Sequence, residues 1–336
     1  MAKYPVHNFE EYNRYRNDFT IKVTDIVLED YSREDLFNEC DKYKDIDAEH
    51  ACCYGECYYF GIYVDVDRNK AFEWYMKSAE MGYPRAIFSV GYCYEHGEGV
   101  GLDYKKSAEW YHKGAEKEFA KAQYNLGVLY KKGIGVAKSD EEAFYWFMKA
   151  AEQGLDNAQN YVGKCYKFGE GVEINEEKAF YWFMKAAEQG YSYAQQNVGY
   201  CYEHGIGVEQ SYEKACFWYE EAAYQGLGIA EFNVGYLYYY GKGVEQSYFV
   251  ALMWFERAAK QGVAEAQVMA GICYLKGHDV DVNIEKGVRY MIDAANNGDE
   301  YAHRVLTGQA TGDYSKEMLD EIMKTAESKG YHTKVN

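Results

Sequence analysis

Apolar residues recur along most of this chain at helical spacing. In one segment Ala122, Leu126 and Tyr130 lie at positions i, i+4 and i+8, which places them on one face of a helix. A second segment, residues 143–151, carries an apolar stripe of the same kind. Between them, residues 133–136 have the sequence Gly-Ile-Gly-Val, which suits a left-handed helix C-cap. This pattern predicts two helices, A and B, joined by a tight turn.

The predicted helix pair recurs every 36 residues. All six tryptophans follow this period, with Tyr290 in the seventh place: Trp74, Trp110, Trp146, Trp182, Trp218 and Trp254. The same step relates seven glycines of helix A: Gly55, Gly91, Gly127, Gly163, Gly199, Gly235 and Gly271. An N-terminal, partly helical cap is predicted at 1–47 and C-terminal capping helices at 300–336. Between the caps, seven repeats are predicted at 48–83, 84–119, 120–155, 156–191, 192–227, 228–263 and 264–299.

The predicted helix ends follow the same period. Helix B begins in every repeat at a residue whose side chain favours the N-cap position: Asp67, Asp103, Ser139, Asn175, Ser211, Ser247 and Asn283. Three repeats depart from the glycine pattern, with Tyr63, Glu118 and Asp279 at positions where the other repeats have glycine.

The flanking segments carry weaker helix signals. Ser32 and Asp35 have the spacing of a capping box, which predicts a helix immediately before the first repeat. After the last repeat, Ala302 and Leu306 predict one more helix A, and residues 315–329 an amphipathic final helix. Residues 20–23 have the sequence Thr-Ile-Lys-Val and are predicted to be extended.

The same period relates seven tyrosines and seven alanines: Tyr58, Tyr94, Tyr130, Tyr166, Tyr202, Tyr238 and Tyr274, and Ala79, Ala115, Ala151, Ala187, Ala223, Ala259 and Ala295. The joint spacing of glycine, tyrosine, tryptophan and alanine resembles the Sel1-like repeat family, relatives of the tetratricopeptide repeats with a longer turn inside the helical pair. The resemblance covers residues 48–299. It implies an all-α fold, a right-handed α/α superhelical solenoid in which each repeat packs on its neighbours. It also implies a non-catalytic function, because proteins resembling this one act as adaptors in complex assembly, in signalling control, or between bacterium and host.

The charge of the chain limits its partners. It has 36 basic and 54 acidic residues, which give a net charge of −18. Nucleic acids and acidic membrane surfaces are therefore unexpected partners, because binding phosphate requires a basic face. No apolar run approaches the roughly 18 residues of a membrane-spanning helix. The first residues lack an apolar signal segment, and the nine cysteines are consistent with reduced thiols, so we expect a cytoplasmic protein. Delivery into a host cell is the alternative.

One group of residues has the spacing of metal ligands. His50, Cys53 and Cys57 share a predicted helix face, and Cys40 and Cys52 are near in sequence. However, Cys57 belongs to a repeat column in which leucine alternates with cysteine, which is typical of a small buried apolar position. We therefore expect no metal and no other cofactor.

Two other motifs suggest catalysis but have simpler explanations. Cys93 and His96, repeated as Cys201 and His204, lack a third residue that would orient the histidine. Ser211 and Lys214 match the S-x-x-K signature of penicillin-recognising enzymes, yet Ser211 belongs to the predicted N-cap column. We expect no enzyme. A weak β-lactamase-like hydrolase is one alternative, because a secreted, cysteine-rich branch of the family is linked to penicillin binding.

The variable columns of helix A predict a binding surface on the concave face of the solenoid. In the related tetratricopeptide repeats, an asparagine two places before the helix-A glycine hydrogen-bonds the backbone of a bound peptide. Three residues match that place: Asn125, Asn197 and Asn233. Tyr161 stands in the same column as the asparagines, and aromatic residues also occupy the adjacent columns: Tyr92, Tyr124, Tyr200, Tyr236 and Phe232. Arg85 and Lys121 are predicted to receive an acidic end of the ligand.

The predicted function is therefore a scaffold that binds a neutral to basic protein or peptide. Asparagine offers both a donor and an acceptor to a peptide backbone, and tyrosine adds rigid contact area with a polar tip. In the alternative interpretation, the asparagines cap helices or bridge through water within the array, and the tyrosines pack between repeats. A further alternative is an acidic surface that mimics phosphate and blocks a basic partner.

Overall fold

A computed structural model of the protein describes residues 32–310 and 312–331. This part of the chain is all-helical, without a strand, as the sequence predicts. The predicted extended segment at 20–23 lies outside the described residues. The 17 helices are α1 (Arg33–Tyr43), α2 (Ala48–Phe60), α3 (Arg68–Glu80), α4 (Pro84–His96), α5 (Tyr104–Glu116), α6 (Ala120–Lys132), α7 (Asp140–Glu152), α8 (Asp156–Phe168), α9 (Glu176–Glu188), α10 (Ser192–His204), α11 (Tyr212–Tyr224), α12 (Gly228–Tyr240), α13 (Tyr248–Lys260), α14 (Ala264–Lys276), α15 (Ile284–Asn296), α16 (Glu300–Leu306) and α17 (Lys316–Ser328).

Helices α2 to α15 form the seven predicted pairs, in which the even-numbered helix is A and the odd-numbered helix is B. The chain divides into two compact units, residues 1–153 and 154–336, called here the first and second unit. Within each unit, helix A packs on helix B of its own repeat, and helix B packs on helix A of the next. This consecutive packing is that of an α-solenoid.

The predicted helix ends are confirmed. The side chain of every predicted N-cap accepts a hydrogen bond from the backbone N–H three residues later, as Ser211 does from Lys214. Helix A ends in every repeat at a glycine in the left-handed region, with φ between 64° and 71°. Tyr63, Glu118 and Asp279, which replace glycines of the pattern, also have positive φ, at 65°, 60° and 55°. The repeat therefore imposes its backbone conformation on residues that disfavour it.

The helix-A glycine marks the closest approach of the two helices in a pair. A Cβ atom built on Gly163 would lie 2.5 Å from Cδ1 of Phe183 on helix B. Phe183 is fully buried. The preceding residue, Trp182, belongs to the tryptophan column of the sequence and is half-buried. The residue after the tryptophan column therefore forms the centre of each repeat.

A buried amide column, which the sequence pattern did not predict, joins successive repeats. Gln195 donates from Nε2 to the carbonyl oxygen of Ala187, at the end of the preceding helix B, over 3.4 Å. Its Oε1 accepts a hydrogen bond of 2.7 Å from Gln225. Gln123 and Gln267 make the equivalent bonds in their repeats. Each of these helix-end carbonyls also accepts a backbone N–H from the turn after helix B, as Ala187 does from Gly190 over 2.9 Å, so the amide adds a second hydrogen bond.

The flanking helices form as the sequence predicts. Ser32 and Asp35 make both hydrogen bonds of the capping box at the start of α1. Helix α16 contains the buried Ala302 and Leu306 but is only seven residues long. In α17, which begins after the N-cap Ser315, three of the predicted inward residues are buried: Leu319, Ile322 and Ala326.

Candidate protein-binding face

The predicted binding residues all lie on A helices, and each is half-buried. In the first unit they are Arg85 and Tyr92 on α4, with Lys121, Tyr124 and Asn125 on α6. In the second unit they are Tyr161 on α8, Asn197 and Tyr200 on α10, and Phe232, Asn233 and Tyr236 on α12.

In the second unit, side chains join two consecutive A helices directly. Asn197 on α10 donates from Nδ2 to Oδ1 of Asn160 on α8, over 2.8 Å. The ammonium of Lys167 on α8 lies 3.9 Å from the ring centroid of Tyr200 on α10. Partial burial lowers the pKa of Lys167. Both contacts run between A helices, but Asn160 is only 1% exposed, so the bond from Asn197 belongs to the packing between α8 and α10.

The bond from Asn197 bears on the two interpretations of the asparagine column. It lies within the array, as in the alternative interpretation, but it is a direct side-chain bond and not a helix cap or a water bridge. An amide has two N–H donors and one acceptor oxygen, so the side chain keeps further hydrogen-bonding capacity. Asn125 and Asn233 make no side-chain hydrogen bond to any residue of the described part of the chain. A peptide-binding role for the three asparagines stays a prediction.

The tyrosine column is held by ring contacts on its own helix. Tyr200 stacks on His204 with ring centroids 4.2 Å apart, and Nδ1 of His204 lies 3.0 Å from the carbonyl oxygen of Tyr200. On α12 the equivalent Tyr236 contacts Tyr240 at 4.6 Å. Lys242 donates to the hydroxyl of Tyr236 over 3.4 Å. These contacts orient the rings while leaving each tyrosine partly exposed.

The two cations predicted to receive an acidic ligand lie near a buried carboxylate of the first unit. Arg85 pairs with Glu56 at 2.9 Å, and the Glu56 side chain is 3% exposed. Burial raises the pKa of Glu56 to about 7, against the opposing effect of Arg85 and Lys121. Glu56 directly follows the helix-A glycine Gly55, the place that Tyr92 holds in the next repeat and that the sequence assigned to the binding face. The burial of Glu56 corrects that expectation for the first repeat. Arg85 compensates this carboxylate.

The residues of the repeated Cys93–His96 motif have separate structural roles. Glu95 accepts a hydrogen bond of 2.6 Å from the hydroxyl of the fully buried Tyr111 on helix B. His96 stacks on Tyr92 at 4.0 Å, while Cys93 is buried in the core. The second copy repeats these contacts, with Glu203 bonded to Tyr219. The motif is therefore accounted for by packing.

The S-x-x-K residues are also accounted for by the fold. Oγ of Ser211 accepts the backbone N–H of Lys214 over 3.2 Å, which is the N-cap bond of α11. The ammonium of Lys214 lies 5.3 Å from the ring centroid of Tyr202. The hydroxyl of Ser211 thus has the role that the sequence predicts from the N-cap column.

The metal-ligand pattern is rearranged. His50 turns to Asp47, with 2.7 Å between Nδ1 and Oδ1. Cys40 from α1 takes its place beside Cys53 and Cys57, and the three sulphur atoms lie within 4.8 Å of one another. The sequence could not position Cys40, because it lies outside the repeats.

Within the described residues, no helix has both the length and the apolar composition needed to cross a membrane.

The comparison with known families decides the classification. The Sel1 repeat model matches residues 47–83, 84–119, 120–155, 156–191, 192–227, 228–263 and 264–299. The chain belongs to the Sel1 repeat family. Sel1 repeat proteins are commonly scaffolds for protein–protein interactions and are generally non-catalytic.

Solved structures of other Sel1 repeat proteins resemble this one. A protective antigen of uropathogenic Escherichia coli is 31% identical to this chain, with a TM-score of 0.76. The match covers 90% of this chain, and the chain spans 65% of the length of the antigen. A Sel1 repeat protein from Oxalobacter formigenes is 30% identical with a TM-score of 0.66, covering 90% of both chains. Comparison with curated proteins gives no match.

Proposed function

We propose that this Sel1 repeat protein is a non-catalytic scaffold that binds an extended segment of a partner protein along α8, α10 and α12. The observation that carries the proposal is the row of half-exposed tyrosines, one on each of these A helices: Tyr161, Tyr200 and Tyr236. The framework columns beside them are buried, so the tyrosines are not needed to form the core. Partly exposed tyrosine is also among the residues most enriched at protein interfaces.

The polar groups beside the tyrosines suit a peptide backbone. Asn233 lies between Phe232 and the core residue Val234, and its amide has no partner among the described residues. Asn197 uses one of its two N–H donors for Asn160. Free amide donors and acceptors beside aromatic rings can pair with backbone C=O and N–H groups while the rings contact side chains.

The spacing of the helices sets the length of the proposed ligand. Consecutive A helices pack on the helix B between them, so their spacing is at least the roughly 8–10 Å of packed helices, and α8 to α12 span at least about 16–20 Å. An extended peptide rises about 3.3 Å per residue, so at least about five or six residues bridge the row. The net charge of −18 favours a neutral to basic segment, because the field of the protein attracts positive ligands.

The first unit contributes less to this proposal. Arg85 is paired with the buried Glu56, so we leave Arg85 and Lys121 out of the proposed face. Tyr92, Tyr124 and Asn125 of the first unit stay predicted binding residues and are not part of the proposed face.

Photo-crosslinking tests the location of the face. A benzophenone amino acid replaces Tyr200 in the full chain, which is then irradiated in a lysate of the source organism. A matched control places the same group at Tyr181, a tyrosine of helix B in the same unit that is 51% exposed. A partner crosslinked from position 200 and not from 181 supports the proposal. Crosslinking from position 181 alone would move the binding surface to the B helices.

A further inference from the structure

Three cysteine sulphurs meet where the N-terminal cap joins the first repeat. Cys40 lies on α1, and Cys53 and Cys57 lie one turn apart on α2. The three Sγ atoms lie within 4.8 Å of one another. In residues 32–310 and 312–331, no other three His, Cys, Asp or Glu side chains converge in this way.

The repeat framework accounts for only one of the three cysteines. Cys57 occupies a packing column that holds cysteine or leucine in the other repeats: Cys93, Leu129, Cys165, Cys201, Leu237 and Cys273. Cys53 occupies a variable column, where the next repeats have serine and asparagine. Cys40 belongs to no column. Packing alone therefore gives no reason for three thiols at this point.

The dimensions of the cluster fit a metal ion bound by thiolates. Three atoms within 4.8 Å of one another leave a central point at most about 2.8 Å from each, whereas a Zn–S bond is about 2.3 Å. Shifts of about half an ångström or less, within the range of small rotamer adjustments, would bring the sulphurs to bonding distance. Cys40 and Cys57 are buried, and Cys53 is half-exposed, so the cluster has one side open to solvent.

We propose that Cys40, Cys53 and Cys57 form a three-thiolate site for a thiophilic d¹⁰ metal ion, Zn²⁺ or Cu⁺. Both ions prefer soft sulphur ligands. Binding forms three S–metal bonds and releases the three thiol protons to solvent. For Zn²⁺, a water molecule entering on the Cys53 side completes the tetrahedron. Because the ligands come from α1 and α2, the ion ties the cap to the first repeat and stabilises the folded state.

Cobalt titration of the full, reduced chain tests the site, with Co²⁺ as a spectroscopic probe for Zn²⁺. We expect one equivalent to bind with an intense thiolate-to-cobalt charge-transfer band, which Zn²⁺ abolishes by displacement. Cys40→Ser and Cys53→Ser should each weaken binding by more than about 100-fold, since loss of a ligand exceeds the effect of second-shell changes. Cys52→Ser is the matched control, because Sγ of the neighbouring buried Cys52 points to Glu56 at 3.8 Å. It should bind as the wild type does.

Cys53 is the most informative position because it is half-exposed, so Cys53→Ser is expected to fold. Zn²⁺ or Cu⁺ should raise the melting temperature of the wild type and of Cys52→Ser but not of Cys53→Ser. The proposal is overturned if the reduced chain retains neither ion after dialysis. It is equally overturned if Cys40→Ser binds as tightly as the wild type. A disulfide between two of the three cysteines that persists after reduction and anaerobic handling, and so excludes the metal, would overturn it as well.

Discussion

Arg257 on α13 forms an ion pair of 2.8 Å with Glu231 on α12, whose side chain is 2% exposed. Glu231 occupies the amide column in which Gln123, Gln159, Gln195 and Gln267 stand in other repeats. A carboxylate cannot donate to the carbonyl oxygen of the preceding helix B. Arg257 makes that bond instead, from Nη2 to the oxygen of Ala223 over 3.4 Å. One arginine thus neutralises the buried carboxylate and replaces the missing donor.

This relationship predicts that Arg257 and Glu231 must be replaced together if stability is to be kept. Arg257→Ala leaves the carboxylate of Glu231 buried, with the side-chain amide of Gln261 still donating to it over 2.8 Å, and should lower the free energy of unfolding by about 1–3 kcal/mol. The value lies below that of a fully buried pair because Arg257 is partly exposed. The double variant Glu231→Gln/Arg257→Lys places at these two positions the residue types found at the equivalent positions of the fourth repeat, Gln159 and Lys185. It should lie within about 1 kcal/mol of the wild type in urea denaturation. A double variant as unstable as Arg257→Ala would contradict this account.

A second prediction concerns the residues with positive φ. Glu118 has φ of 60° at a position where the other six repeats have glycine. Glu118→Gly should raise the free energy of unfolding by about 0.5–1 kcal/mol, because the relief of backbone strain exceeds the added chain entropy. Tyr63→Gly should not stabilise, although Tyr63 also has positive φ. Its hydroxyl donates to Glu34 over 2.7 Å, and its ring contacts Phe37 at 5.7 Å. Equal gains in thermal denaturation at both sites would argue against this distinction.

Close helix packing makes a third prediction. Gly163→Ala places a Cβ atom 2.5 Å from Cδ1 of the fully buried Phe183, and should destabilise by about 1–3 kcal/mol through overpacking. Gly101→Ala is the control, since no atom lies within 4 Å of its added Cβ and its φ is not positive. Circular dichroism melts of both variants measure the difference. A wild-type melting temperature for Gly163→Ala would refute the contact between the two helices.

The fourth prediction separates capping from hydrolysis at Ser211. Ser211→Ala removes the N-cap bond to Lys214 and should cost about 1 kcal/mol, within the usual 0.5–2 kcal/mol range. Ser211→Asn, which copies the N-caps Asn175 and Asn283, should retain wild-type stability. Neither the wild type nor the variants should hydrolyse a chromogenic β-lactam. Turnover that disappears in both variants would restore the hydrolase alternative.

The sequence predicted the features that recur in every repeat. Helix ends, glycine contacts and the unusual turns could be inferred because seven aligned copies separate what packing requires from what varies. The sequence emphasised the tryptophan column, yet the fully buried position follows it, because indole rings are large enough to keep an exposed edge. Trp182 illustrates this beside Phe183.

Contacts that occur once could not be inferred in this way. The pair of Arg85 with Glu56 joins residues of successive repeats, and its existence depends on side-chain rotamers that no period encodes. The approach of Cys40 to Cys53 depends on how α1 crosses α2, outside the repeat pattern. The bond from Asn197 to Asn160 likewise joins different columns of neighbouring repeats. The predicted binding residues were found on the expected helices, but the partners of these single-copy residues required the structure.

The central claim is that α8, α10 and α12 present the binding face. The most direct test is calorimetric titration of a partner peptide, obtained by crosslinking at position 200, into the wild type and two variants. The account predicts that Tyr200→Ala/Tyr236→Ala weakens binding by at least about 10-fold, with an unchanged melting temperature. Tyr181→Ala should bind as the wild type does. Full affinity in the double variant, or equal loss in Tyr181→Ala, would contradict the claim.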